Sequence, residues 1–197
     1  MNFPMVAKYF MLISFDFSNT IRKHEENGVI TMGIMSGNPQ DEPLHAGEVF
    51  HLWSHLLGTK AYLVALQVFS NHSGDHDLKV FIEDFMENCV KQEEQQVEGI
   101  LKENGIRLPP APPDRPNVST EDIPAGARFN DSEIAALLTR DIIGGNVLAS
   151  YIMGLSIRAD IREMFGDFLT QKVEYADKLA AINKEKGWLV LPPLNLK

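Results

Sequence analysis

The chain has 197 residues, of which 44 % are hydrophobic and 23 % charged, a balance typical of a globular domain with one sizeable core. Its formal net charge of −9 disfavours nucleic acid or an anionic membrane as the main partner, because both require a basic face. The single cysteine, Cys89, excludes an internal disulfide and fits a reducing compartment, so we expect a cytoplasmic protein.

The first 34 residues lack the sustained periodicity of apolar residues that the rest of the chain shows. Their apolar stretch, residues 3–15, is interrupted by Lys8, is too short to span a membrane and lacks the basic start of a signal peptide. We expect residues 1–34 to be a weakly structured extension, of the kind that an upstream start codon would add, and residues 35–197 to form the folded domain.

Apolar residues recurring every three or four positions predict long helices in the folded domain. Asn130 or Asp131 can cap the third helix, and Gly105 and Gly187 are expected to end the second and the fourth. A tight turn, "GLSIRAD", separates the last two helices. The predicted ranges are 44–70, 75–104, 130–154 and 157–186.

Residues 106–129 form the only long irregular connection of the domain, and their six prolines favour an extended path. At about 3 Å per residue this segment can run the length of a 30-residue helix, which is about 45 Å. The organisation predicts an all-α protein, a ferritin-like four-helix bundle whose antiparallel helix pairs are joined by a long Pro-rich crossover. An up-down-up-down arrangement would instead reverse the third helix.

Five short segments resemble a known family. They are "GEVFHLW", "ENGIRLPP", "FNDSEIA", "SIRADIREMF" and "EKGWLVLPP", in that order. They are similar to an uncharacterised family of ferritin-like bundle proteins of spore-forming bacteria, often labelled "putative spore coat" proteins and related to coat protein F. The similarity covers about residues 40–193. It implies a ferritin-like bundle in the spore coat, with other coat proteins as partners, and no established reaction.

The stretch "LHAGEVFHLWSHLL" carries candidate metal ligands. A helix would place Glu48, His51 and His55 within about 60° of each other, and Glu-x-x-His is how a bundle helix presents ligands to a metal. A di-iron site needs a second Glu-x-x-His on another long helix, and helices two to four contain none. The apolar stripe centres roughly 80° from Glu48, so Glu48 and His55 should lie at its edge and His51 further out.

Three charged residues fall inside the apolar stripes of the other helices: Glu93, Asp141 and Lys172. Buried charges must be paired or must bind a metal. Counting residues from the turns places Glu93 level with the start of the first helix and makes an Asp141–Lys172 ion pair plausible. A metal site for iron, manganese or zinc would therefore use Glu48, His51, His55 and Glu93, together with Asp141.

Simpler interpretations stand beside the metal site. Glu93, Asp141 and Lys172 can form a structural polar layer, Asp160 can favour a helix N-terminus beside a paired Arg158, and Cys89 can be a small core residue. The first hypothesis is a non-enzymatic coat-associated bundle, and the second is a metal-binding, redox-active bundle. A third is a bundle that holds a small apolar ligand, and association with a second copy as a homodimer stays open.

Overall fold

The computed structural model describes residues 42–195, and the predicted extension of residues 1–34 lies outside them. The described residues are all-helical and contain no strand, so the prediction of an all-α protein is confirmed. The main elements are α1 (Ala46–His72), α2 (His76–Phe85), a π-helical turn (Met86–Val90), α3 (Lys91–Glu103), α4 (Asp131–Leu155) and α5 (Ala159–Glu185). Two short 3₁₀ helices, Thr120–Asp122 and Ala125–Ala127, lie in the connection before α4. Helical backbone angles continue through the π turn, so α2 and α3 form one long helix. Every end of the four long helices lies within two residues of its predicted position.

The helix ends follow from local chemistry. His45 caps α1, since its Nδ1 accepts hydrogen bonds from the backbone N–H groups of Gly47 and Glu48. Asn130 precedes α4, and its N–H donates to the carboxylate of Glu133 at 2.8 Å. Gly105 and Gly187 follow α3 and α5 with φ of 70° and 73°, the left-handed conformation that ends many helices.

The long connection lies along the outside of α1. Near its beginning, the carbonyl of Arg107 accepts a hydrogen bond from the indole of Trp53 at 2.9 Å. Further on, Asp114 accepts one from Gln67 and Pro116 accepts one from Asn71. The connection therefore follows α1 from its first turns to its last.

Asp131 then fixes the start of α4 at the turn between α1 and α2. Its Oδ1 accepts hydrogen bonds from Ser73 Oγ and from the N–H groups of Gly74 and Asp75, at 2.9 to 3.2 Å. Because α2 also begins at this turn, α4 runs in the same direction as α2 and α3. The turn between α4 and α5 returns the chain to the beginning of α1.

The hydrophobic core consists of two clusters with a gap at the same level in each helix. One cluster includes Leu63, Cys89, Ile142 and Tyr175, and the other includes Leu56, Val97, Ala149 and Phe168. Between them lie four residues that we call the polar layer: Thr59, Glu93, Gly145 and Lys172. The prediction that Cys89 is a core residue is confirmed, since its side chain is fully buried.

Candidate functional site

The polar layer is built around an ion pair between two long helices. The Lys172 ammonium on α5 contacts the Glu93 carboxylate on α3, and both side chains are more than nine-tenths buried. His55 on α1 adds a third group, with its Nε2 at 3.5 Å from Glu93 Oε2. Within residues 42–195 that Nε2 has no hydrogen bond of good geometry. Three helices thus meet at one carboxylate.

Aromatic rings hold His55 in place below this layer. Its ring lies edge-on to Phe165 at a centroid distance of 5.0 Å and is nearly parallel to Phe168 at 6.3 Å. Phe168 also lies 5.7 Å from the Lys172 ammonium, a cation–π distance. The aromatic packing restricts the imidazole to the side of α1 that faces Glu93.

Glu93 is held ionised. Burial raises the energy of its charged form, but the contacts with His55 and Lys172 outweigh that cost and lower the pKa of the carboxyl below its usual 4.5. The same carboxylate affects the thiol of Cys89, whose Sγ lies 3.7 Å from Glu93 Oε1. Burial, followed by the negative charge of Glu93, raises the pKa of Cys89 to about 12. Cys89 is therefore a protonated, inert core thiol.

The π-helical turn precedes Glu93 by one helical turn. Such turns contain an extra residue and frequently mark functional positions in helices. Here the carbonyl of Asn88, inside the turn, accepts a hydrogen bond from Gln171 on α5 at 2.7 Å. Gln171 is the neighbour of Lys172, so the π turn and the ion pair tie the same two helices together.

A pocket of about 370 Å³ opens between α1 and α4 directly over the polar layer. Gly58 on α1 and Gly144 on α4 line it without filling it, and His55, Glu93 and Lys172 are among its deeper residues. Gly145 allows the Lys172 side chain to pass, because a Cβ at this position would lie 2.9 Å from Lys172 Cε. The pocket is thus the result of small residues where two helices would otherwise close.

Tyr62 is a pocket residue that the sequence analysis missed. Its hydroxyl is buried and finds no hydrogen-bond partner in the described part of the chain. Burial, and next the charge of Asp141, raise the pKa of this phenol. Its position, seven residues after His55 on the same helix face, is the signal that could have identified it.

Glu48 connects the beginning of α1 to the beginning of α5 by hydrogen bonds. Its Oε1 accepts hydrogen bonds from the N–H groups of Ile157 and Arg158 at 2.8 and 3.0 Å, just before α5 begins. Its Oε2 accepts one from the N–H of His45 at 3.2 Å. The carboxylate is 2 % exposed and lies where a negative charge favours the N-terminus of α5.

The structure does not bring the five predicted metal ligands together. Only His55 and Glu93 meet, while Glu48 bonds to backbone N–H groups and half-buried His51 packs against Tyr151 at 5.4 Å. Residues 42–195 contain no group of three or more His, Cys, Asp or Glu that could hold a metal. The structure therefore brings two of the five predicted ligands together, while Glu48 and His51 each contact other neighbours, and metal binding itself stays a prediction.

The predicted pairing of Lys172 is also corrected. Asp141 pairs with Arg140 at 2.9 Å and is partly exposed, whereas Lys172 pairs with Glu93. Side chains on a helix lean toward its N-terminus, which shifts Lys172 past Asp141 to the level of Gly145.

Arg158 and Asp160 have the structural roles expected of them. The guanidinium donates two hydrogen bonds to the Asp160 carboxylate, at 3.1 and 2.6 Å. It also donates to the carbonyl of Glu42 and to Asn104 Oδ1. Arg158 therefore fastens the chain before α1 and the end of α3 to the start of α5.

A family model described as "Protein of unknown function (DUF3231)" matches residues 32–197. The protein belongs to the DUF3231 family. It is 48 % identical over 166 residues to "Uncharacterized protein YvdQ" of Bacillus subtilis (strain 168), an alignment covering 84 % of this chain and 97 % of that protein.

Two solved structures resemble this DUF3231 chain. One is the crystal structure of a "putative spore coat protein" from Bacillus halodurans, with a TM-score of 0.79 and 47 % identity, covering 81 % of this chain and all of that one. The other is a DUF305 fragment from Deinococcus radiodurans, with a TM-score of 0.55 and 15 % identity, covering 73 % of this chain and 99 % of that one. The second likeness shows a shared fold alone. The resemblance to spore-former bundle proteins is confirmed.

Proposed function

We propose that this protein is a non-catalytic bundle protein that associates with the spore coat. The observation that carries the proposal is the similarity to the Bacillus halodurans protein, which covers 81 % of this chain and is described as a spore coat candidate. That description is of the Bacillus halodurans protein, and the extension to this chain rests on 47 % identity over the whole length of that protein.

The interior supports a structural role. The buried carboxylate of Glu48 is bound by backbone N–H groups, and that of Glu93 by Lys172, so both are used in holding helices together. Arg158 likewise pairs with Asp160. Charged groups whose hydrogen-bonding positions are occupied by one another have few positions left with which to bind a substrate.

We further propose that the bundle is ferritin-like in topology. The support is the long connection along α1, after which α4 runs in the same direction as α2 and α3. A bundle with one long crossover of this kind is the arrangement of ferritin-like folds.

The metals of ferritin-like di-iron proteins do not fit this interior. Such a site needs several carboxylates and imidazoles, whereas His55 and Glu93 are the pair that meets, and the Lys172 ammonium occupies one side of that carboxylate. A cation would have to displace Lys172 to bind there. Elemental analysis of protein purified without chelator tests this, and stoichiometric iron, manganese or zinc would contradict it.

Fractionation of spores tests the coat proposal. An epitope-tagged copy expressed from its own promoter in a spore-forming host should appear in the detergent and alkali extract of purified spores. Deletion of the gene should change coat composition or spore resistance and leave vegetative growth normal. Recovery of the tagged protein only in the mother-cell lysate, with unaltered spores after deletion, would overturn the proposal.

A further inference from the structure

The outward surface of α1 and α4 is apolar, although it faces away from the core. We call it the α1–α4 face. Its large exposed side chains are Phe50 and Leu57 on α1, and Ile143, Val147, Leu148, Tyr151 and Leu155 on α4. In both helices apolar side chains lie on the outward side as well as on the core side, a pattern typical of a helix that is covered on both sides.

The two halves of the face are continuous. The His51 ring lies between them, 5.5 Å from Phe50 and 5.4 Å from Tyr151 by centroid distance. The exposed area of the seven large side chains is on the order of 700 Å², more than the roughly 300–600 Å² patch of a typical monomer. It approaches the roughly 800 Å² that each partner contributes to a standard interface.

The helix segments that form the face contain few charged residues, which favours a second copy of this acidic chain as the partner. Residues 142–155 contain no Asp, Glu, Lys or Arg, and neither do residues 49–59. The chain as a whole carries a formal charge of −9, so two copies repel each other wherever acidic surface meets acidic surface. On the α1–α4 face the exposed charges are those of Arg140 and Asp141 at the pocket, which neutralise each other, so two copies can approach there with little repulsion.

The face has both projecting and concave parts. It carries projecting side chains, such as Val147 and Tyr151, beside the pocket between Gly58 and Gly144. A twofold axis through such a surface lets the projections of each copy enter the pocket of the other. We infer that the α1–α4 face is the contact between two copies of this chain.

A homodimer of this kind also closes the pocket over the polar layer. The Glu93–Lys172 pair and the Tyr62 hydroxyl lie beneath the opening, so the second copy would exclude water from them. The inference goes beyond coat association and does not depend on it.

Sedimentation velocity over a wide concentration range tests the inference with matched charge substitutions. Val147→Glu places a carboxylate on the face, and Val80→Glu places the same group on an exposed position of α2, a helix that packs mainly against α1 and α5. The wild type and Val80→Glu should sediment as dimers, and Val147→Glu should have a dissociation constant raised at least about 100-fold. Circular dichroism should show equal helix content in all three. A wild type that is monomeric throughout would overturn the inference and assign the face to a different partner.

Cross-linking gives a second test that does not depend on dissociation. The natural Cys89 is fully buried, so a single new cysteine is the accessible thiol of the described residues. A short bifunctional maleimide should join two copies of Val147→Cys and leave Val80→Cys as single chains. Equal cross-linking at the two positions, or cross-linking at position 80 alone, would contradict the proposed contact.

Discussion

The ammonium of Lys172 crosses the bundle interior to the carboxylate of Glu93, passing over Gly145 on the way. The pair lies at the level where all four long helices interrupt their apolar residues, between two hydrophobic clusters. A buried pair of this kind adds little net stability over an apolar pair, but removing one partner leaves an unpaired charge in the core. It therefore fixes the register of α3 against α5.

The lowered pKa of Glu93 predicts an acid-dependent loss of stability. As pH falls below the usual Glu value of 4.5, the unfolded chain takes up a proton while the folded chain resists, so stability decreases with decreasing pH. Thermal melts from pH 7 to pH 3 should therefore show a steeper decline for the wild type than for Glu93→Gln/Lys172→Met. The double variant is the control for the other carboxylates, and parallel curves would contradict the prediction.

Glu48 is predicted to matter for folding far more than its neighbour His51. Glu48→Ala leaves the N–H groups of His45, Ile157 and Arg158 without their acceptor and should lower the free energy of unfolding by about 3 kcal/mol. His51→Ala removes half-buried ring contacts and should cost about 1 kcal/mol or less. Urea denaturation measures both, and equal losses would favour a shared role of the two residues.

Two glycines in helix interiors should respond differently to alanine. Gly99→Ala adds a methyl group in open space and should stabilise the protein by about 0.5–1 kcal/mol through helix propensity. Gly145→Ala has the same propensity gain, but its Cβ would meet Lys172 Cε at 2.9 Å and disturb the ion pair. We expect Gly145→Ala to be no more stable than the wild type. Equal stabilisation by both substitutions in urea denaturation would show that Lys172 moves aside freely.

Cys89 should be unreactive in the folded protein. Its pKa of about 12 and its complete burial leave very little accessible thiolate at pH 8. Ellman's reagent should react with it on the order of a thousandfold more slowly than with the urea-unfolded chain. Rapid reaction of the native protein would show that the core opens at the π turn.

The helices were predictable because their patterns are long and their ends carry strong local signals. Gly105 and Gly187 stop α3 and α5 where the sequence places them, and Asn130 begins α4. Local chemistry at these positions is independent of the rest of the fold.

The candidate site was only partly predictable, because it depends on how helices face each other. Residue counting gave the level of Glu93 and His55 correctly, and these two residues do meet. It gave Lys172 the wrong partner, since an axial count ignores the lean of a long side chain. Glu48 and His55 are buried rather than at an edge, because α1 contacts neighbours over a wider arc than its apolar stripe indicates.

The most direct test of the buried ion pair is a double-mutant cycle on Glu93 and Lys172, measured by urea denaturation at pH 7. Glu93→Gln and Lys172→Met should each lower the free energy of unfolding by about 3–5 kcal/mol, because each leaves a buried charged partner unpaired. The free energy of unfolding lost in the double variant should be smaller than the sum of the two single losses by at least about 2 kcal/mol. Additive losses, with no coupling between the two positions, would contradict the claim that Glu93 and Lys172 stabilise the bundle by pairing with each other.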